Sequence, residues 1–283
     1  MPIHQAIILG IIQGVTEFLP VSSSGHLIVI RQMLGWKDPG LSFDVALHFG
    51  TLIAVLIYFA QTWIKIFRAA FGAKVRISEE EGPQGEPSPP EVRQQRLLLW
   101  FLVVATIPGA VMGKLFETQA EESFRQPTLI AATMIIVAVI MWWSERVGRF
   151  QKPLTRITLL DAITVGTAQA AAIIPGVSRS GSTIAAALFR GMNRDAAARF
   201  SFLLATPIIG GACVLSGWHL RREGVPPEMA RALIAGVSAS AVVGYAAIAA
   251  FIRYLRTQTL RIFIVYRIIF GIIILALVYR GYL

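Results

Sequence analysis

QGVTEFLPVSSSGH, residues 13–26, decides how this chain folds. It sets an amide, a carboxylate, three hydroxyls and an imidazole inside a sequence that otherwise reads as membrane. Gln13 and Glu17 are four residues apart, so on a helix they share one face. Pro20 should end that helix, because proline lacks the N–H and clashes with the preceding turn. Ser22, Ser23 and Ser24 then form a loop and offer N-caps for a second helix over about 25–34. An ionised carboxylate near a bilayer centre costs roughly 2.5–3.5 kcal/mol on insertion scales. A chain keeps Glu17 there when it is used or faces a wet cavity; the alternative is pairing inside a helix bundle.

Working outward, 55% of the 283 residues are hydrophobic and 15% are charged, and the mean hydropathy is +0.64. That is too apolar for a soluble domain and places the chain in the membrane class. The net charge of +10 would suit nucleic acid in a soluble protein. In a membrane protein it reflects Lys and Arg in cytoplasmic loops, and no nucleic-acid partner is expected. Cys213 is the single cysteine, so no intramolecular disulfide forms. The N-terminus has no Lys or Arg ahead of its apolar run, unlike a cleavable signal peptide.

Residues 3–19 are apolar but carry Gln13 and Glu17 and stop at Pro20, and the next helix, about 25–34, is too short to cross roughly 30 Å of hydrocarbon at 1.5 Å per residue. They read as a re-entrant helix–loop–helix, a form tolerated where it is buried in protein or lines a wet cavity. Full spans follow at 42–60, 97–116 and 127–144. Asp44 and His48 share a face near the start of the first; they pair with each other or edge the cavity. Pro108 and Gly109 should interrupt and kink the second. A loop at about 77–95, rich in Glu, Pro, Gly and Ser, should be flexible and cytoplasmic.

The opening pattern then recurs. An apolar run carrying Gln169 stops at Pro175, GVSRSGST follows at 176–183, and a short helix runs to about Arg190. Gly10 and Gln13 are spaced as Gly166 and Gln169 are, and Gln13 and Gly25 as Gln169 and Gly181 are. Three more spans follow at 200–218, 231–252 and 262–279. The expected fold is therefore all-α: one polytopic membrane domain over 1–283, with pseudo-repeats 1–146 and 158–283. Each half is a re-entrant hairpin plus three crossings. An odd number of crossings inverts the second half, the plan of many transporters, with the site near the midplane.

Loop charge sets the orientation. Six Lys and Arg fall between 65 and 96, four between 146 and 156, three between 190 and 199 and three between 253 and 261, sixteen on one side. The other side holds Lys37, Arg125, Arg221, Arg222, Arg231 and Arg280. The richer side should be cytoplasmic, so the first hairpin enters from outside and the second from the cytoplasm.

The two hairpin tips should meet inside the membrane. Each precedes a short helix, so two helix N-termini point at the meeting place and make an anion site. Arg179 adds a permanent charge whose fork suits phosphate, and Ser178, Ser180 and Thr183 add hydroxyls. The first tip brings Glu17, His26, Ser22, Ser23 and Ser24. The sum is a phosphate-binding cavity with acid–base groups and hydroxyl nucleophiles. A divalent cation would help Glu17 sit beside phosphate, since Mg²⁺ uses one or two carboxylates plus substrate oxygens.

QGVTEFLPVSSSGH together with PGVSRSGST resembles the bacitracin-resistance family of undecaprenyl-diphosphate phosphatases, over essentially the whole chain. The family's first motif reads Glu or Gln, three residues, then Glu; Gln13 and Glu17 fill it, with Gln where many members have Glu. The second matches at Pro175, Gly176, Ser178, Arg179, Ser180 and Gly181. The resemblance implies hydrolysis of the lipid carrier diphosphate to the monophosphate on the outer face of a bacterial inner membrane. That recycles the carrier for peptidoglycan synthesis and confers bacitracin resistance.

On this reading the polyprenyl tail stays in lipid and the diphosphate enters the cavity. Arg179, the helix N-termini and Mg²⁺ or Ca²⁺ hold it, with Gln13, Ser22, Ser24, Ser178, Ser180 and Thr183 as further phosphate contacts. Ser23 is the candidate nucleophile, although Ser22 or Ser24 could substitute. His26 would act as general acid or base, and Glu17, with Gln13, would bind metal or orient His26. Direct attack by water fits equally. The competing class is a transporter of a polyprenyl phosphate. A homodimer is compatible with the sequence.

Overall fold

The computed structural model describes residues 1–75, 77, 89–121, 123–223 and 227–283. Among them the chain forms twelve α-helices joined by turns and short 3-10 segments, with no strand. α1 (Ile3–Phe18) and α2 (Ser23–Met33) make the first hairpin, and α8 (Leu159–Ala170) and α9 (Arg179–Phe189) the second. At 16, 11, 12 and 11 residues, none of these arms reaches across the hydrocarbon.

Among the described residues, five helices are long and apolar enough to span a membrane. They are α5 (Pro89–Leu115), α7 (Pro127–Val147), α10 (Arg194–Glu223), α11 (Pro227–Leu255) and α12 (Arg261–Tyr279). The protein is thus an all-α, polytopic membrane protein. Its spans stay apolar on the outside; in α12 only 22% of the best window is buried inside the protein, and Ile262, Ile269 and Ile272 face outward. Lipid is the solvent that makes such a surface stable.

Two expectations need correction. The run at 42–60 is not one simple crossing: α3 (Leu41–Tyr58) turns through 69° at Phe59 into α4 (Ala60–Ala70). The pair passes as a sixth span only when taken together. Pro108 does not interrupt α5, which continues to Leu115. Of the loop expected at 77–95, residues 78–88 lie outside the described residues, and the chain is helical again from Pro89. A short helix, α6 (Glu117–Glu121), leads toward α7.

The first hairpin arm α1 packs on α11 and α3, whereas α8 packs on α5. Both contacts are backbone-close. A Cβ at Gly10 would lie 2.3 Å from Gly236 O, and one at Gly166 would lie 2.5 Å from Ala105 O. Small residues are how membrane helices approach without a hydrophobic drive between them. α3 also packs on α10, and α7 on α12. These contacts bring both hairpin tips to the interior.

Candidate active site

α1 ends because Leu19 is extended and Pro20 follows. The chain then turns at Ser22 in a left-handed conformation (φ 75°), and its Oγ caps α2 by accepting from Gly25 N at 3.4 Å. Ser178 repeats the device at the second tip: φ is 69°, and its Oγ accepts from Gly181 N at 3.1 Å. The two tips touch. Gly176 N donates to Ser22 Oγ at 3.1 Å, and Ser180 Oγ donates to Leu19 O at 3.1 Å.

One side chain ties both tips to the bundle. Arg267 of α12 is fully buried. It donates to Pro20 O at 3.2 Å, Gly176 O at 2.7 Å, Val177 O at 3.2 Å and Met134 O at 3.1 Å. Its fork saturates carbonyls that irregular backbone would otherwise leave unpaired in a dry interior. The sequence reading missed Arg267, although a lone Arg in the apolar run 262–279 is itself a signal.

Glu17 sits at the centre. Its Oε1 accepts from Arg179 Nη2 at 3.0 Å, an ion pair that joins the two hairpins. Its Oε2 accepts from Ser23 Oγ at 2.6 Å and Gln13 Nε2 at 3.0 Å. His48 Nε2 of α3 lies 3.3 Å from the same oxygen, while its Nδ1 donates to Asp44 O at 2.7 Å. Arg179 Nη1 donates to Ser201 O at 2.9 Å. Ser23 follows the N-cap of α2 directly and Arg179 that of α9, so hydroxyl and guanidinium both stand at helix N-termini.

These groups open on a cavity of about 510 Å³. Glu17, Ser22, Ser23, Ser24, His48, Gln169, Ser178 and Arg179 line it, together with apolar Ile173, Ile208 and Leu215. The volume suits a diphosphate headgroup with the first part of a tail. Asp44 and Arg125 lie on its wall as well. The Asp44 carboxylate is held by Arg31 at 2.6 and 2.9 Å and by Arg125 at 3.3 Å. His48 therefore faces Glu17 with its ring while its neighbour on the helix face anchors elsewhere.

The other expected site residues lie as follows. His26 is buried behind the wall, with Nδ1 2.7 Å from Ser22 O and Nε2 2.6 Å from Tyr266 OH. Since Ser22 O can only accept, Nδ1 carries the proton and Nε2 accepts from the tyrosine. The ring stacks on Phe270 at 4.5 Å. Ser22 Oγ is occupied by the two backbone amides. Ser24 is on the wall but does not reach Glu17; its nearest polar contact is Ser22 Oγ at 3.5 Å. Ser180 bonds the first tip, and Thr183 bonds Arg179 O at 2.7 Å and Ser201 Oγ at 2.7 Å. Gln13 is fully buried, and its Oε1 has no hydrogen-bond partner.

Glu17 is the carboxylate at hand for a cation; Gln13, fully buried, is not among the residues that line the cavity. No group of three or more His, Cys, Asp or Glu suited to a metal occurs among the described residues. One carboxylate would suit a Mg²⁺ or Ca²⁺ that arrived with a diphosphate, whose oxygens and water would complete the shell, rather than an ion the protein holds alone.

Known proteins resemble this chain along nearly its whole length. Residues 6–273 match the family model described as bacitracin resistance protein BacA. The chain is 47% identical to an undecaprenyl-diphosphatase of Moorella thermoacetica, over 98% of each chain. It is 43% identical to one from Trichlorobacter lovleyi over 100% of each, and 41% identical to one from Pelotomaculum thermopropionicum over 98% of this chain and 97% of the other. With a match that runs from the first hairpin through the last span, this chain belongs to the bacitracin resistance protein BacA family.

Proposed function

We propose that this protein is a membrane phosphatase that hydrolyses undecaprenyl diphosphate to undecaprenyl phosphate and inorganic phosphate, returning the lipid carrier to peptidoglycan synthesis and giving resistance to bacitracin. Full-length relatives carry that name. The observation that carries the chemistry is the 2.6 Å contact from Ser23 Oγ to Glu17 Oε2, with Arg179 on the other carboxylate oxygen. A transporter needs an anion site, but not a hydroxyl held on a carboxylate.

In the reaction, Ser23 Oγ attacks the terminal phosphorus as its proton passes to Glu17 Oε2. The bond from that phosphorus to the bridging oxygen breaks, and the electron pair leaves with the polyprenyl monophosphate. Glu17 hands that proton to the departing monophosphate; water then attacks the phosphoserine, gives a proton to the freed Glu17 carboxylate and releases phosphate, and Glu17 returns that proton to Ser23. Arg179 and the amides at the starts of α2 and α9 meet the charge on the transferring phosphoryl group. His48 steadies the carboxylate from α3, and His26 fixes Ser22 and so the start of α2. A divalent cation held by Glu17 would neutralise phosphate charge.

The cavity serves the outer face of a bacterial inner membrane on this proposal, which rests on the sixteen-to-six loop charge. The reciprocal packing of α1 on α11 and of α8 on α5, each a helix of the other half, supports the inverted-repeat plan. In a Cys213→Ser background, a cysteine at Gln151 should label from the cytoplasm and one at Gln119 from outside. Opposite labelling at both would reverse the orientation.

The activity is tested by phosphate release from purified protein and undecaprenyl diphosphate. One phosphate per lipid is expected, falling about 100-fold in Arg179→Lys, which keeps the charge and loses the fork. Release at background level by the wild-type protein would overturn the phosphatase reading.

A further inference from the structure

Gln169 is 4% exposed, lines the cavity, and neither its Nε2 nor its Oε1 has a hydrogen-bond partner. A buried amide with both ends unpaired is destabilising and rare. Its counterpart in the first hairpin, Gln13, spends its Nε2 on Glu17 at 3.0 Å. In the second hairpin the place of Glu17 is taken by Ile173. Gln169 therefore has the same helical position and no internal acceptor, so its donor is left for something that enters the cavity.

The surroundings indicate what enters. The opposite wall is Gly109 of α5, where a Cβ would lie 3.1 Å from Gln169 Nε2; a side chain there would press on the amide. Around Gln169 the wall is apolar, formed by Ala170, Ala172, Ile173 and Ile208. Glu17, Ser23 and Arg179 form one polar part of the same cavity, whose wall also carries Asp44, Lys114 and Arg125. The second unpartnered donor on the wall is Arg179 Nε, whose Nη atoms are already engaged by Glu17 and Ser201. A headgroup whose terminal phosphate meets Ser23 has its lipid-side phosphate between the charged cluster and the apolar wall. A neutral amide suits it, because it can give a hydrogen bond to a phosphate oxygen while Glu17 holds Ser23 and Arg179.

We infer that Gln169, with Arg179 Nε, forms a subsite for the lipid-side phosphate of the diphosphate, a reading that rests on the phosphatase proposal. The product keeps that phosphate, so the subsite also binds the polyprenyl monophosphate, whereas inorganic phosphate occupies the Ser23 end.

Kinetics of Gln169→Leu and Gly109→Ala on undecaprenyl diphosphate, with inhibition by undecaprenyl phosphate and by inorganic phosphate, test this. Gln169→Leu should raise KM and the inhibition constant of the lipid monophosphate about 10- to 100-fold, the range of a hydrogen bond to a charged group. The inhibition constant of inorganic phosphate should move less than threefold. Gly109→Ala should shift the same two constants in the same direction by crowding the amide. Direct binding of undecaprenyl phosphate to Ser23→Ala and Ser23→Ala/Gln169→Leu proteins gives a readout without turnover. It separates the two ideas: a wild-type protein that released no phosphate would sink the phosphatase reading, while equal binding by these two proteins would sink the subsite. Wild-type KM in Gln169→Leu, or equal loss of affinity for inorganic phosphate, would also overturn it.

Discussion

The two hairpins share a backbone and differ in chemistry. Each ends its first arm before a left-handed serine, Ser22 or Ser178, that caps the next helix through the amide three residues on. Each rests a glycine of its first arm against backbone of a long helix, Gly10 on Gly236 and Gly166 on Ala105. At equivalent places the residues then part. Glu17 stands where the second hairpin has Ile173, Ser23 where it has Arg179, and His26 where it has Ser182. One tip holds the carboxylate and hydroxyl, the other the cation. The difference teaches that the two hairpins share a scaffold that presents a helix N-terminus at each tip, while the reactive groups are divided between them.

If that division is real, the largest effect belongs to the pair that crosses it. Glu17→Gln should lower phosphate release about 1,000-fold, since it removes the base and leaves Arg179 uncompensated. Extra Mg²⁺ should not restore it. A Glu17→Gln protein with wild-type rate and metal dependence would make the carboxylate structural.

Arg267 is common to both tips, so its loss should not distinguish them. Arg267→Met should cut turnover about 100-fold and raise amide hydrogen exchange at residues 20–25 and 176–181 alike, because it frees carbonyls of both loops. Faster exchange in one hairpin only would break the shared-clamp account.

The histidines sharpen the contrast within the first hairpin's surroundings. His48→Ala should cost about 10-fold in turnover with little change in melting temperature, as it removes one contact to Glu17 in a wet cavity. His26→Ala should lower turnover and melting temperature together, since it frees Ser22 O and Tyr266. The reverse pattern would put His26 in the chemistry and His48 in the frame.

The smallest effects belong to Gln13. Gln13→Ala should cost less than about 10-fold, a neutral hydrogen bond. Gln13→Glu should stay active but shift the Mg²⁺ titration, because neighbouring carboxylates disfavour each other's ionisation until a cation bridges them. An unchanged titration would argue against a cation at this face.

Much of this arrangement was legible in the sequence, for local reasons. Proline and serine mark both hairpin tips within a few residues, and short arms follow from counting apolar residues. Glu17, Ser23 and Arg179 stood out as polar groups at those breaks. What was not legible depended on distant packing. His26 is near Ser23 in sequence, yet it lies one turn into α2, against Tyr266 and Phe270 of α12. His48 reaches Glu17 only because α3 packs on α1. Arg267 meets loops some two hundred and fifty and ninety residues away. The bend at Phe59 falls where the apolar run gives way to the amphipathic α4, in which Gln61, Lys65 and Arg68 alternate with Trp63, Ile64 and Phe67, and Pro108 breaks no helix since α5 runs on past it.

The central claim is that the first hairpin attacks and the second holds. The stereochemical course at the transferred phosphorus tests it most directly. An undecaprenyl diphosphate analogue made chiral at its terminal phosphorus by sulfur and oxygen isotopes would be hydrolysed in isotopically labelled water. Attack by Ser23 followed by water is two in-line displacements, so the released thiophosphate should show retention of configuration. Inversion would mean that water attacks directly, and that Ser23 serves Glu17 as a hydrogen-bond donor rather than as the nucleophile.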